Sequence, residues 1–140
     1  MADAFRLSVL TPGHRVFSGT VTSLVAPGHL GDFAVLPGHV AYITAVKPGA
    51  LVWEHEGERI VRAVGEGFAQ VSADKVSIVV TRCEDPATFD ATAIRASLEA
   101  AQKTMVETDP SERAWIDAQW DQSMAQGRLS ALERVGGQSH

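Results

Sequence analysis

From Phe5 to Val80 the apolar positions recur at short range. Phe5, Leu7 and Val9 alternate with Arg6 and Ser8, the two-residue period of a strand buried on one face. Runs rich in β-favouring residues follow at Val21–Val25, Phe33–Leu36, Tyr42–Val46, Leu51–Trp53, Ile60–Val64, Phe68–Val71 and Val76–Thr81. Between them stand the turn signals Thr11-Pro12-Gly13, Pro27-Gly28, Pro37-Gly38, Lys47-Pro48-Gly49, Glu56-Gly57 and Gly65-Glu66-Gly67. Short strands at this spacing predict an antiparallel β-sandwich or barrel. No helix long enough for a βαβ crossover fits between these turns, which argues against nucleotide folds of that kind.

After Asp85-Pro86 the period changes. Ile94, Leu98, Ala101 and Met105 fall at i, i+4, i+7 and i+11, one stripe of a helix, with Asp90 as its N-cap. Thr108-Asp109-Pro110 interrupts that stripe and restarts it, with Asp109 as cap and Pro110 at the first helical position. The second helix runs to about Val135 and stops at Gly136-Gly137. Its apolar residues form two stripes, Ala114, Ala118, Ala125, Leu129 and Leu132 on one side and Ile116, Trp120, Met124 and Val135 on the other. Two stripes predict two partners, or a second stripe packed on the sandwich. Gly127 is the expected bend. The organisation is therefore β + α: a sandwich over 1–86 and an antiparallel two-helix hairpin over 87–140.

Charge and composition narrow the function. Twelve basic and seventeen acidic side chains give a net charge of −5, against bulk attraction to nucleic acid and against a polybasic membrane anchor. No apolar run approaches the 18 or so residues of a membrane span. Met1-Ala2-Asp3-Ala4-Phe5-Arg6 lacks the basic and apolar regions of a signal peptide, so a cytosolic chain is expected, one free to sit on a membrane complex. Cys83 is the single cysteine, which excludes an internal disulfide.

No catalytic constellation stands out. The histidines at 14, 29, 39, 55 and 140 never fall at i, i+2 or i, i+4, the spacings that put two ligands on one face. Cys83 as nucleophile needs a base that the sequence does not place beside it. The one unusual stretch is Pro27–His39, where tight turns carry His29, Leu30, Phe33 and His39. It reads either as a protein-contact loop or as an ordinary hairpin whose Leu30 folds inward. A free-standing ligand-binding domain or small enzyme using His39 or Cys83 is the competing reading, and a generic adaptor with a helical docking tail is another.

That stretch, with Phe17-Ser18-Gly19, Thr44–Gly49, Gly67-Phe68 and Val71 in the same order, resembles the epsilon subunits of bacterial F-type ATP synthases along nearly the whole chain. The resemblance implies a non-catalytic rotor subunit of the central stalk, which joins the gamma subunit to the c-ring so that proton translocation is coupled to ATP synthesis. Gly28, His29, Leu30, Gly31, Asp32 and Phe33, with His39, would face the ring. The helical tail would be a conformational inhibitor of ATP hydrolysis, compact in one state and extended toward the alpha and beta catalytic subunits in another. Arg113, Arg128 and Arg134 are then its candidate inhibitory contacts, and Ala125-Gln126-Gly127-Arg128 is similar to the family's Ala-Gln-x-Arg segment. The implied location is peripheral, on the cytoplasmic side of the bacterial inner membrane, held there only through the complex.

ATP-sensing members carry Ile/Leu-Asp-x-x-Arg-Ala at the start of the first helix. Here Arg95-Ala96 is present, but Thr92 stands where the aspartate belongs, Asp90 is displaced by two, and Gln102 replaces the second arginine. Asp90 and Arg95 are thus vestigial positions, and the expected ATP binding is weak or absent. Neither a metal nor another cofactor is expected.

Overall fold

The computed structural model describes residues 4–136. Its strands are β1 (Phe5–Thr11), β2 (His14–Val21), β3 (Ser23–Gly28), β4 (Gly31–Val35), β5 (Tyr42–Val46), β6 (Gly49–His55), β7 (Glu58–Val64), β8 (Gly67–Val71), β9 (Lys75–Val80) and β10 (Cys83–Glu84). They form one sheet in the order β10-β7-β6-β3-β5-β8-β9-β1-β2, with β4 added to β3. The pairing is antiparallel except for β1 and β9, which run parallel from Arg6↔Lys75 to Leu10↔Val79. The sheet doubles back on itself. The Thr22 N–H donates to the Glu54 carbonyl at 3.0 Å, and the Phe17 ring lies 5.0 Å from that of Trp53. Leu7, Val9, Leu24, Leu51, Trp53, Val76 and Ile78 fill the space enclosed.

The burial pattern of β6 shows where the tail sits. Gly49 to Trp53 are buried without alternation, because both faces of this strand are covered. Leu51 and Trp53 point into the sandwich core. Ala50 and Val52 join Val61 and Ala63 of β7 in a second apolar cluster, which Ala131 of the tail closes from outside. After a 3-10 turn at Pro86–Thr88 come α1 (Ala91–Glu107) and α2 (Arg113–Gly136). Ile94 and Ala101 of α1 and Ala118 and Ala125 of α2 are buried, so short side chains bring the helices close together.

Several expectations hold and several need correction. Asp90 caps α1 as expected, accepting from the N–H groups of Thr92 at 3.0 Å and Ala93 at 3.3 Å. The run Val21–Val25 is broken at Thr22, where the chain leaves its pairing with β1 to pair with β6. The β2 strand lacks a signal in the apolar periodicity because it is mostly exposed. Pro110 does not open α2, which begins at Arg113. Asp109 instead closes a turn, accepting from the N–H and hydroxyl of Ser111 at 2.9 and 2.7 Å. Of the two stripes, Ala118 and Ala125 are buried and Ala114 is exposed, while in the second Ile116 and Trp120 are exposed and Val135, partly covered, lies beside Ile60 and Pro86. α2 runs to Gly136, and residues 137 onward, with Gly137 of the expected stop and His140, lie outside the described residues. Gly127 makes no break: α2 runs through it, and the residue is buried.

Candidate functional site

The β3–β4 hairpin builds the exposed turn. Gly28 and Gly31 are its last paired residues, which leaves His29 and Leu30 as a two-residue loop. Gly31 has φ +126°, a conformation open to glycine, and a Cβ on Gly28 would lie 2.8 Å from Cδ1 of Phe33. The missing Cβ of Gly28 lets Phe33 lie across the hairpin, where it meets the Tyr42 ring edge-on at 6.1 Å. Leu30 does not fold inward. It is 98% exposed, above an open depression of about 740 Å³ that Phe33, Tyr42 and Ile43 help to line. Asp32 is on the same hairpin but turns its carboxylate to Arg134 of α2.

His39 has a different place. Its Nδ1 lies 2.6 Å from the Leu36 carbonyl and its Nε2 lies 2.5 Å from the Ser72 carbonyl, with the ring edge-on to Phe5 at 5.0 Å. It fastens the approach to β5 onto the β8–β9 turn, and it does not line the depression under Leu30. Set between two carbonyl oxygens, to one of which the ring N–H donates, and packed against Phe5, it is a structural staple. Cys83 is half-buried in β10, and burial pushes its thiol up to about 11, so it is protonated near neutrality and a poor nucleophile.

A second surface is one the sequence reading missed. On the sheet half that the helices leave bare, Ala45, Phe68, Val79 and Leu10 form a row across β5, β8, β9 and β1. Phe68 is 63% exposed and Ile43, two residues from Ala45 on the same face, is 70% exposed. The signal was present as apolar residues at the outward positions of strands, but it takes the register to put them side by side. An apolar row on a rigid sheet, next to an apolar turn, marks a protein contact.

The third surface joins the tail to the sandwich. Arg128 of α2 grips Glu84 with two hydrogen bonds, Nε to Oε1 at 2.8 Å and Nη2 to Oε2 at 3.1 Å, and Arg82 adds a looser contact to Glu84 at 3.7 Å. Arg134 pairs with Asp32, while Arg59 donates to the Arg134 carbonyl at 2.8 Å and so satisfies one of the free carbonyls in the last turn of α2. Arg113 makes only an exposed intrahelical pair with Asp117 at 3.4 Å. Arg95 is exposed and makes no ion pair among the described residues.

The Arg128 hydrogen bonds hold the Glu84 carboxyl below its ordinary value, and Glu84 in turn raises Arg128. The depressed carboxylate contributes stability that is fully present above the ordinary glutamate range and is lost as pH falls through the lowered value. Acidification through the ordinary glutamate range and below should therefore loosen α2 from β6 and β7. An NMR titration following the Gly127 amide should show this loosening, and Glu84→Gln should flatten the dependence. An unchanged titration in that variant would remove Glu84 from the account.

The chain is thus a sandwich bearing an exposed apolar row and turn, with a helical hairpin clasped to it by ion pairs. Residues 4–86 match a family model described as the ATP synthase delta/epsilon chain, beta-sandwich domain. The chain is 31% identical to the ATP synthase epsilon chain of Geotalea uraniireducens over 115 residues, 82% of this chain and 83% of that one. It is 36% identical to that of Desulfosudis oleivorans over 75% of this chain and 80% of the relative. For Parasynechococcus marenigrum the figures are 32%, 89% and 93%. A chain in the Euglena gracilis mitochondrial ATP synthase structure (OSCP, F1 and c-ring) shares the fold with a TM-score of 0.83 at 21% identity, over 94% of this chain and 83% of that one. The protein belongs to the ATP synthase epsilon-chain family and is a non-catalytic subunit of that complex.

Proposed function

We propose that this chain seats the gamma subunit on the c-ring and couples ion translocation, by default of protons, to ATP synthesis. The observation that carries this reading is the exposed apolar row of Phe68, Val79 and Ile43 continuing toward the exposed Leu30 turn. The row is the seat for gamma, and the turn Gly28–Phe33 meets the ring. His39 supports that face from behind as a staple. The complex holds the chain peripherally at the cytoplasmic side of the inner membrane. Among the described residues no helix is long and apolar enough to cross a membrane.

The tail is a reversible brake. Docked, it rests on β6 and β7. Extended, it presents Arg113, Arg128 and Arg134 to the alpha and beta subunits and slows ATP hydrolysis. The exposed Ile116 and Trp120 support this reading, since they form a stripe left unused in the docked state. Deleting residues 87–140 should leave binding to gamma intact and raise ATP hydrolysis of the assembled complex several-fold. Unchanged hydrolysis would show that the tail does not inhibit.

ATP is not a strong effector of this tail. The Asp90 carboxylate is occupied as a helix cap, Arg128 is committed to Glu84, and Gln102 offers no charge where the resemblance has an arginine. Calorimetric titration of the isolated chain with ATP should give no saturating heat. Tight saturable binding would overturn this point.

A further inference from the structure

We infer that Gly127 is a docking notch, the position that sets how firmly the helical tail stays on the sandwich. It lies in the interior of α2, where glycine weakens a helix, and no helix terminus falls there to make it a cap. The contact explains it. A Cβ at 127 would lie 2.8 Å from the Gly49 nitrogen, 3.0 Å from the Pro48 carbonyl carbon and 3.2 Å from the Gly49 Cα. All three are backbone atoms, which cannot rotate aside as a side chain does. Gly49 is itself closely packed, since a Cβ on it would lie 2.6 Å from the Pro27 Cβ. Helix backbone and strand start thus meet in close contact.

The seat adds shape to the apolar contact that Ala131 makes one turn on. Beside the notch an open cleft of about 280 Å³ is lined in equal part by polar side chains, among them Asp32, Lys47 and Ser123, and by small or apolar residues. The neighbouring residue, Arg128, makes the bidentate pair to Glu84, so the notch also places the latch. Alanine at 127 therefore strengthens the helix as a helix while blocking its seat. The consequence for regulation rests on the reading of the tail as a reversible brake, but the docking itself does not.

The test uses the full isolated chain with Gly127→Ala beside Gly136→Ala. Gly136 lies in the same helix, and a Cβ there meets nothing within 4 Å, so it reports helix propensity alone. Hydrogen exchange of the α2 amides and NMR contacts between the Ala131 and Val52 methyls read docking. Protection of β1, β8 and β9 reads the sandwich. The Gly127→Ala tail should open about tenfold more often, as expected for overpacking a close contact. Gly136→Ala should match the wild type, and the sandwich should be unaffected in both. A docked tail in Gly127→Ala would overturn the proposal, and so would loss of sandwich protection along with the tail. Hydrolysis of the assembled complex is a separate readout. If the isolated tail opens and hydrolysis does not fall, the brake fails and the notch stands.

Discussion

Replacing Ile43 and Phe68 together by glutamate should keep the chain out of the assembled ATP synthase while leaving its own fold intact. Both side chains project from the outer face of the sheet, 70% and 63% exposed, and neither belongs to the core cluster. Surface substitutions of this kind change stability by about 0.5 kcal/mol or less. In a complex the same positions would carry carboxylates into an apolar contact with no partner arranged for them. Unpaired charges buried in this way cost several kcal/mol each, so association should weaken by about 100-fold or more. Thermal unfolding of the isolated variant and its recovery with the complex are the two readings needed. A stable variant that still incorporates normally would move the gamma seat elsewhere.

Gly67→Ala should be the most damaging single methyl in the sandwich. Gly67 pairs with Val46 on one side and Val80 on the other, and a Cβ there would sit 1.8 Å from the Val79 carbonyl oxygen and 2.8 Å from its carbon. The obstacle is the backbone of a paired strand, so β8 and β9 must separate to admit the methyl group. We expect a loss of about 3 kcal/mol or more, at the top of the range for overpacking, and a melting temperature lower by about 10 °C. Gly65 provides a comparison. Its added Cβ would meet the Thr81 hydroxyl at 2.2 Å, the movable end of a side chain, at the cost of the Thr81–Glu66 hydrogen bond. Melting curves should therefore rank Gly65→Ala well above Gly67→Ala. Equal stability of the two variants would mean that the sheet yields at β8–β9 more easily than the packing indicates.

Most of the architecture was legible in the sequence for a simple reason. A strand with one wet face writes its burial as alternation, as Phe5, Leu7 and Val9 do, and a helix against one neighbour writes it as a stripe, as Ile94 and Ala101 do. The misses fall where that coding fails. The β2 strand is an exposed edge with little contrast between its faces, and the Thr22 break marks a change of pairing partner rather than a change in residue type. Pro110 looked like a helix start because proline suits a first turn, yet the Asp109–Ser111 hydrogen bonds spend the cap on a separate turn.

The site was legible in part. The Gly28–Phe33 turn could be read from its glycines, but only the structure decided that Leu30 faces outward rather than folding in. The apolar row could not, since Ala45, Phe68, Val79 and Leu10 are far apart in the chain and become neighbours only through register. The packing around Gly127 was hidden for the same reason. A sequence shows glycine's permissiveness within its own helix, whereas here the cause is the backbone of Pro48 and Gly49. The arginines were picked out as partner contacts, and the docked tail shows what they do at rest: Arg128 and Arg134 clasp the sandwich through Glu84 and Asp32.

As the proposed joint between gamma and the c-ring, this chain should carry the whole complex with it. The most direct measurement is a mild-detergent pull-down of a tagged full-length chain from native membranes, with the co-purifying chains identified by mass. Recovery of gamma, the catalytic subunits and the c-ring, and their loss with the Ile43→Glu, Phe68→Glu double variant, is the predicted result. A folded, monomeric chain that brings down none of them would contradict the account.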